Sequence, residues 1–205
     1  MSVDNFLKKV SNITLNNTKI FEIKAIKDID KSPCDKSITQ IIDFDTAKEK
    51  IVEHYKLQML SSCDGLRLID NNNYIDFIEL KSLKNILKYS KFDNISEFET
   101  KIKDLNLTRK IIESHSLIER LLYDRELDFS KNERVIFTDI TKRYIIVFDT
   151  DLLNNPREFI FNSFSLLSIQ KKLNDVILKE IKASELMNIS TPIIKNCITI
   201  DELYN

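Results

Sequence analysis

Glycine is the residue this chain does without. Only Gly65 occurs in 205 residues, where average usage of about 7% would give roughly 14. Glycine-rich phosphate loops are therefore excluded. Neither the GxxxxGK[ST] loop nor the GxGxxG dinucleotide turn can be built from one glycine. A chain that spares a single glycine is expected to need it for positive φ or for close backbone approach. Its place directly after Asp64 makes that position a focus of the reading.

The length suits one domain with its own core. A formal net charge of −1 gives no long-range attraction to nucleic acid or to an anionic membrane, so any such contact must come from a local patch. Cys34, Cys63 and Cys197 are odd in number, far apart and not in CxxC spacing. This argues against a disulfide framework or a zinc knuckle, and for a reducing cytoplasm. The opening MSVDNFLKKV lacks the order of a signal peptide, and no apolar stretch has bilayer-spanning length. With two histidines and no HxH or HExxH, a zinc hydrolase is not expected.

Strands and helices are expected to mix on one sheet, an α/β or α+β arrangement. Residues 19–26 (KIFEIKAI) alternate and read as an early strand. The segment around Pro33 reads as a loop. Residues 45–60 read as a helix capped by Asp45, with Ala47, Ile51, Val52, Tyr55 and Met59 on one face. Residues 65–70 (GLRLID) and 74–81 (YIDFIELK) read as a hairpin turning at Asn71, Asn72 and Asn73. Ser82 can cap a helix through Leu83, Ile86 and Leu87. A further helix from near Thr108 is expected to bury Ile111, Ile118, Leu121 and Leu122. Residues 134–140 and 144–149 read as a second hairpin. Pro156 opens a long helix to about Ala183, and residues 193–200 are strand-like. The expected organisation is a core over 1–150 with a C-terminal helical extension over 151–205.

The hairpin carries chemistry. In a strand, residues two apart share a face, so Glu79 and Lys81 project together while Asp76 and Ile78 point the other way. Asp64 should lie opposite residue 79 or 80. Two carboxylates and an ammonium on one side are what a magnesium-type ion needs to act on a phosphodiester: hard oxygen ligands, and a cation to steady charge and water. Three other ExK triplets begin at Glu22, Glu99 and Glu180. The last two lie in helical patterns, where i and i+2 diverge, and the first lacks a neighbouring strand opened by Asp-Gly.

Cys63-Asp64-Gly65 followed by Ile78-Glu79-Leu80-Lys81 resembles the motif of the PD-(D/E)xK nucleases, with Cys63 where proline often stands. The resemblance implies a restriction-endonuclease-like fold, a mixed sheet flanked by helices. It implies that Asp64 and Glu79 hold Mg2+ (or Mn2+), that Lys81 assists the water, and that a glutamate of the preceding helix completes the site. Glu53 is the candidate, with Glu49 the alternate. The superfamily core has three strands after its first helix, whereas two are read here; residues 19–26 would supply the third. The implied activity is phosphodiester cleavage, with DNA the expected substrate and restriction or anti-phage defence the setting. The alternative is a non-catalytic nucleic-acid-binding or scaffold subunit that keeps the fold.

Other features have blander readings beside the functional one. Lys84, Lys88 and Lys91 share a helix face and could track a phosphate backbone, or simply face solvent. His54 and His115 read as rim or packed residues, and Asp139, Asp149 and Asp151 as turn and cap residues. Phe159, Phe161 and Phe164 open an apolar run that suits core packing. It would also suit a homodimer or attachment to a larger defence complex.

Overall fold

A computed structural model describes residues 2–68, 74–82, 85, 100–149, 175, 188–190 and 192–204. The first helix, α1 (Val3–Ser11), starts at Ser2, whose hydroxyl accepts from the Asn5 N–H at 3.3 Å. It buries Phe6, Leu7 and Val10. Strands β1 (Thr14–Leu15) and β2 (Thr18–Lys19) then form a two-residue hairpin. Its central residues, Asn16 and Asn17, have φ of 49° and 63°. Asparagine thus takes the left-handed positions glycine usually fills in such turns. Lys31, Lys56, Asn106, Asp128 and Asn188 are left-handed as well.

The main sheet is laid down in chain order: β3 (Ile23–Ala25), β4 (Gln40–Asp43), β5 (Gly65–Leu68), β6 (Tyr74–Lys81), β7 (Thr141–Phe148) and β8 (Ile193–Asn196). The first four strands run antiparallel. β7 and β8 add in parallel, and parallel neighbours require crossover connections. Helix α2 (Phe44–Tyr55) stands between β4 and β5; α3 (Leu107–Leu122) and α4 (Lys131–Asp139) stand between β6 and β7. A short α5 (Thr199–Tyr204) follows β8.

Alternation divides the sheet between two cores. On one face Ile75 and Phe77 of β6 and Tyr144, Ile146 and Phe148 of β7 pack with α1 to α4. On the other, Ile78, Leu80, Ile145 and Val147 pack with Ile26, Ile29 and Ile200. The expected mixed α/β class is what is observed. Among the described residues no helix is long and apolar enough to cross a membrane.

Several expectations need correction. The early strand is broken, because Ile20 and Phe21 turn into the core between β2 and β3. β4 went unread. Its last residue, Asp43, and not Asp45, caps α2, accepting from the Thr46 N–H at 3.1 Å. That helix stops at Tyr55, where Lys56 is left-handed, so Met59 lies beyond it and is 71% exposed. Residues 134–140 are not a strand. Ser130 and Glu133 form a capping box that starts α4, and Lys142 closes it by donating to the carbonyls of Phe137 and Thr138. These local bonds outweigh the β-branched composition. β7 consequently pairs with β6. The cysteine reading also fails, since Cys34 and Cys197 form a disulfide across 163 residues, leaving Cys63 free and buried. Distance along the chain says nothing about distance across a sheet.

α3 buries Ile111, Ile118, Leu121 and Leu122 as expected, and the Ser82 hydroxyl accepts from the Asn85 N–H at 3.1 Å. Of the strand expected over 193–200 only 193–196 form β8, which joins the main sheet, while residues 197–198 turn and Thr199 and Ile200 begin α5. The lysines at 84, 88 and 91, the apolar run from Phe159 and the helix expected from Pro156 lie outside the described residues.

Gly65 is not left-handed; its requirement is space. A Cβ there would overlap Ile41 Cδ1 and stand 3.5 Å from Ile78 Cβ. Gly65→Ala is expected to cost about 1–3 kcal/mol by overpacking. Adding Ile41→Val, which removes the opposing methyl, should recover part of it. Urea denaturation of the single and double variants checks this; a neutral single variant would mean Ile41 turns aside freely.

Candidate active site

The site forms where β5 begins. The register pairs Gly65 with Ile78, and antiparallel pairing carried one step further sets Asp64 opposite Glu79. Asp64 is fixed at both backbone and side chain. Its carbonyl accepts from the Phe44 N–H at 3.1 Å, and its Oδ2 from the Leu80 N–H at 2.5 Å. The approach to it is pinned to α3, with the Cys63 N–H on Ser114 Oγ at 2.8 Å and the Ser61 N–H on Glu113.

Glu79 is wholly buried. Its Oε1 receives the Lys81 ammonium and, at 2.6 Å, the ammonium of Lys110 from α3. The same two groups reach Asp64, Lys81 at 3.7 Å and Lys110 at 4.0 Å. Lys81 also donates to the Leu80 carbonyl at 3.1 Å. Two carboxylates and two ammoniums therefore form one cluster of no net formal charge. Glu79 Oε2 has no hydrogen-bond partner among the described residues.

Burial and, after it, the charge of Asp64 push the Glu79 pKa up to about 7, against the pull of Lys81 and Lys110. Burial disfavours the Lys110 ammonium, but Glu79 and Asp64 outweigh it and hold the amine above the usual lysine range. The Cys63 thiol and the Tyr144 phenol, both buried beside the cluster, are raised by burial and stay neutral. Neither supplies an anionic nucleophile.

Asp64, Glu79 and Lys81 thus come together. Glu53 and Glu49 do not join them. Both lie on the exposed side of α2, whose buried side carries Ala47, Ile51 and Val52. Among the described residues no three His, Cys, Asp or Glu side chains gather as metal ligands. His115 is buried against Phe137 and kept neutral, its pKa pushed down to about 4 by burial and by Lys142. His54 sits edge-on to Tyr55. Asp149 accepts from Ser82 Oγ at 2.6 Å.

The sequence reading missed Lys110. The signal was there: Leu107, Ile111, Ser114 and Ile118 trace the buried stripe of α3, and a lysine at 110 falls inside it. A cation on a buried stripe calls for a buried anion. No known protein family, curated protein or solved structure matches this chain.

Glu79 makes the site sensitive to pH in a defined direction. A carboxyl raised above its ordinary 4.5 contributes stability that is present below that value and lost as pH rises through about 7. A proton and a metal ion compete for the same oxygens. If Glu79 is a metal ligand, a rise in melting temperature on adding Mg2+ or Mn2+ is expected to grow as pH increases from 6 to 8. Thermal shift assays across that range check this, and a metal effect that shrinks over it would remove Glu79 as a ligand.

Proposed function

We propose that this chain is a metal-dependent nuclease hydrolysing phosphodiester bonds, with DNA as its substrate and Asp64, Glu79 and Lys81 as its working residues. The observation that carries this reading is the unpartnered Oε2 of Glu79, a buried carboxylate oxygen beside a second carboxylate and a lysine. An oxygen kept from water with nothing to bond is costly in a merely structural cluster, and it is a free ligand position in a catalytic one.

The donor set fits Mg2+ or Mn2+, which bind hard oxygens and, for magnesium, commonly need one or two carboxylates with the remaining positions left to water. Asp64 and Glu79 would hold the ion. When bound, it would supply a water of lowered pKa and positive charge against the charge gathering on the phosphate. Lys81, anchored to Leu80 and to both carboxylates, holds an ammonium where water and phosphate would meet, steadying the anion and orienting the nucleophile. The Leu80 N–H fixes the carboxylate of Asp64. Burial of Glu79 keeps competing water from that side of the cluster.

The rival is the non-catalytic scaffold subunit. It is favoured by the full charge balance of the cluster and by the lack of a third carboxylate among the described residues. Restriction or anti-phage defence is proposed as the setting on the motif resemblance alone. Association as a homodimer or within a larger complex is proposed on the apolar run that Phe159, Phe161 and Phe164 open in the sequence. A cytoplasmic location rests on the nuclease reading, since the disulfide removes the support that cysteine spacing had offered.

Incubation with supercoiled plasmid, single-stranded DNA and RNA in Mg2+ or Mn2+ should give metal-dependent nicking of DNA. Lys81→Ala and Asp64→Ala should each lower the rate by about 10²–10⁴-fold, with metal binding impaired in the Asp64 variant. Absence of cleavage on all three substrates would leave the scaffold reading in its place, and turnover that survives both substitutions would remove Asp64 and Lys81 from the chemistry.

A further inference from the structure

Resting on that reading, we infer that Lys110 is an exchangeable counter-cation, competing with the divalent ion for the oxygens of Glu79 and Asp64. The cluster already balances, two negative charges against two positive ones. A divalent ion added to all four groups would meet two ammoniums at close range, and like charges at that distance repel strongly where water is scarce. One ammonium must withdraw.

The geometry selects which. Lys81 grows from the same strand as Glu79, and its Nζ also donates to the Leu80 carbonyl at 3.1 Å, a partner outside the carboxylates. Lys110 reaches in from another layer and is held by the carboxylates themselves, at 2.6 and 4.0 Å. Its side chain is 21% exposed, as open as that of Lys81 at 19%, so once the divalent ion takes over its carboxylates the ammonium has a path to water. Once outside, it stays within a side chain's length of the cluster, a place suited to a phosphate oxygen of the substrate.

Lys110 therefore weakens metal affinity while protecting Glu79 from being left as a bare buried anion. Binding of Mn2+ to wild-type, Lys110→Gln and Lys81→Gln proteins by isothermal calorimetry at pH 8 tests this. Lys110→Gln should bind at least about tenfold more tightly than wild type, and Lys81→Gln should gain less. Detectable binding in Lys110→Gln alone counts as the expected result. If wild type binds and Lys110→Gln binds no better, or if both variants gain equally, the exchange is refuted and the metal site stands. If no protein binds Mn2+, both are refuted. Should Lys110→Gln not fold, amine-reactive footprinting of the wild type decides: Mn2+ must raise labelling of Lys110 more than of Lys81, and an unchanged or lowered rate overturns the inference.

Discussion

A carboxylate removed wholly from water is the constraint around which this fold is arranged. An unpaired charge in a protein interior costs several kcal/mol even after relaxation, so Glu79 obliges the chain to bring cations inward from two layers. One comes from its own strand and the other from α3. The bonds that hold Ser61 and Cys63 against α3 keep those layers in register. Replacing such a cluster with apolar side chains of equal volume is often neutral or stabilising. Stability alone therefore gives little reason to keep four charged groups here.

Asp76 gives the contrast. It is a second wholly buried carboxylate on β6, three residues earlier and on the opposite face. Arg143 meets both its oxygens, at 2.6 and 2.7 Å, and the Tyr204 hydroxyl adds a third bond at 2.6 Å. Arg67 and Arg143 lie over the rings of Tyr204 and Tyr74. Every oxygen of Asp76 is used. Burial by itself therefore does not mark a site in this chain; Glu79 differs from Asp76 in keeping an unpartnered oxygen beside two ammoniums and a second carboxylate. Asp76 joins α5 to the sheet, whereas Glu79 retains an oxygen free to bond something else.

What could be read in the sequence follows from which signals are local. Alternation along 74–81 fixed the shared face of Glu79 and Lys81, and the runs 65–68 and 74–81 pair antiparallel as their spacing suggested, because both signals are local; the turn read at Asn71 to Asn73 lies outside the described residues. The stripe of α3 was visible for its apolar members, yet Lys110 within it went unread, since lysine is rarely buried. The segment 134–140 was misread because its β-branched and aromatic residues favour a strand, while its helix is set by bonds at Ser130 and by an amine from beyond its end. The glutamates of α2 were placed beside the site by analogy with a motif. The helix instead follows β4, a strand too short and too closely bounded by polar residues to be seen. The disulfide had no local signal at all.

That disulfide also changes what kind of object the chain is. Residues 34 to 197 are closed into a covalent ring that contains β4 to β8. Beside the linkage, Asp201 accepts from Ser37 Oγ at 2.6 Å and from Thr39 Oγ1 at 2.5 Å, so the junction is cemented by polar bonds as well. A single peptide cleavage anywhere inside the ring opens it without liberating a fragment. Two cuts, or one cut and a reductant, are needed before any of β4 to β8 can diffuse away. Proteolytic damage of the first kind would leave Asp64, Glu79 and Lys110 tethered to one another, in a molecule that is nicked but still joined.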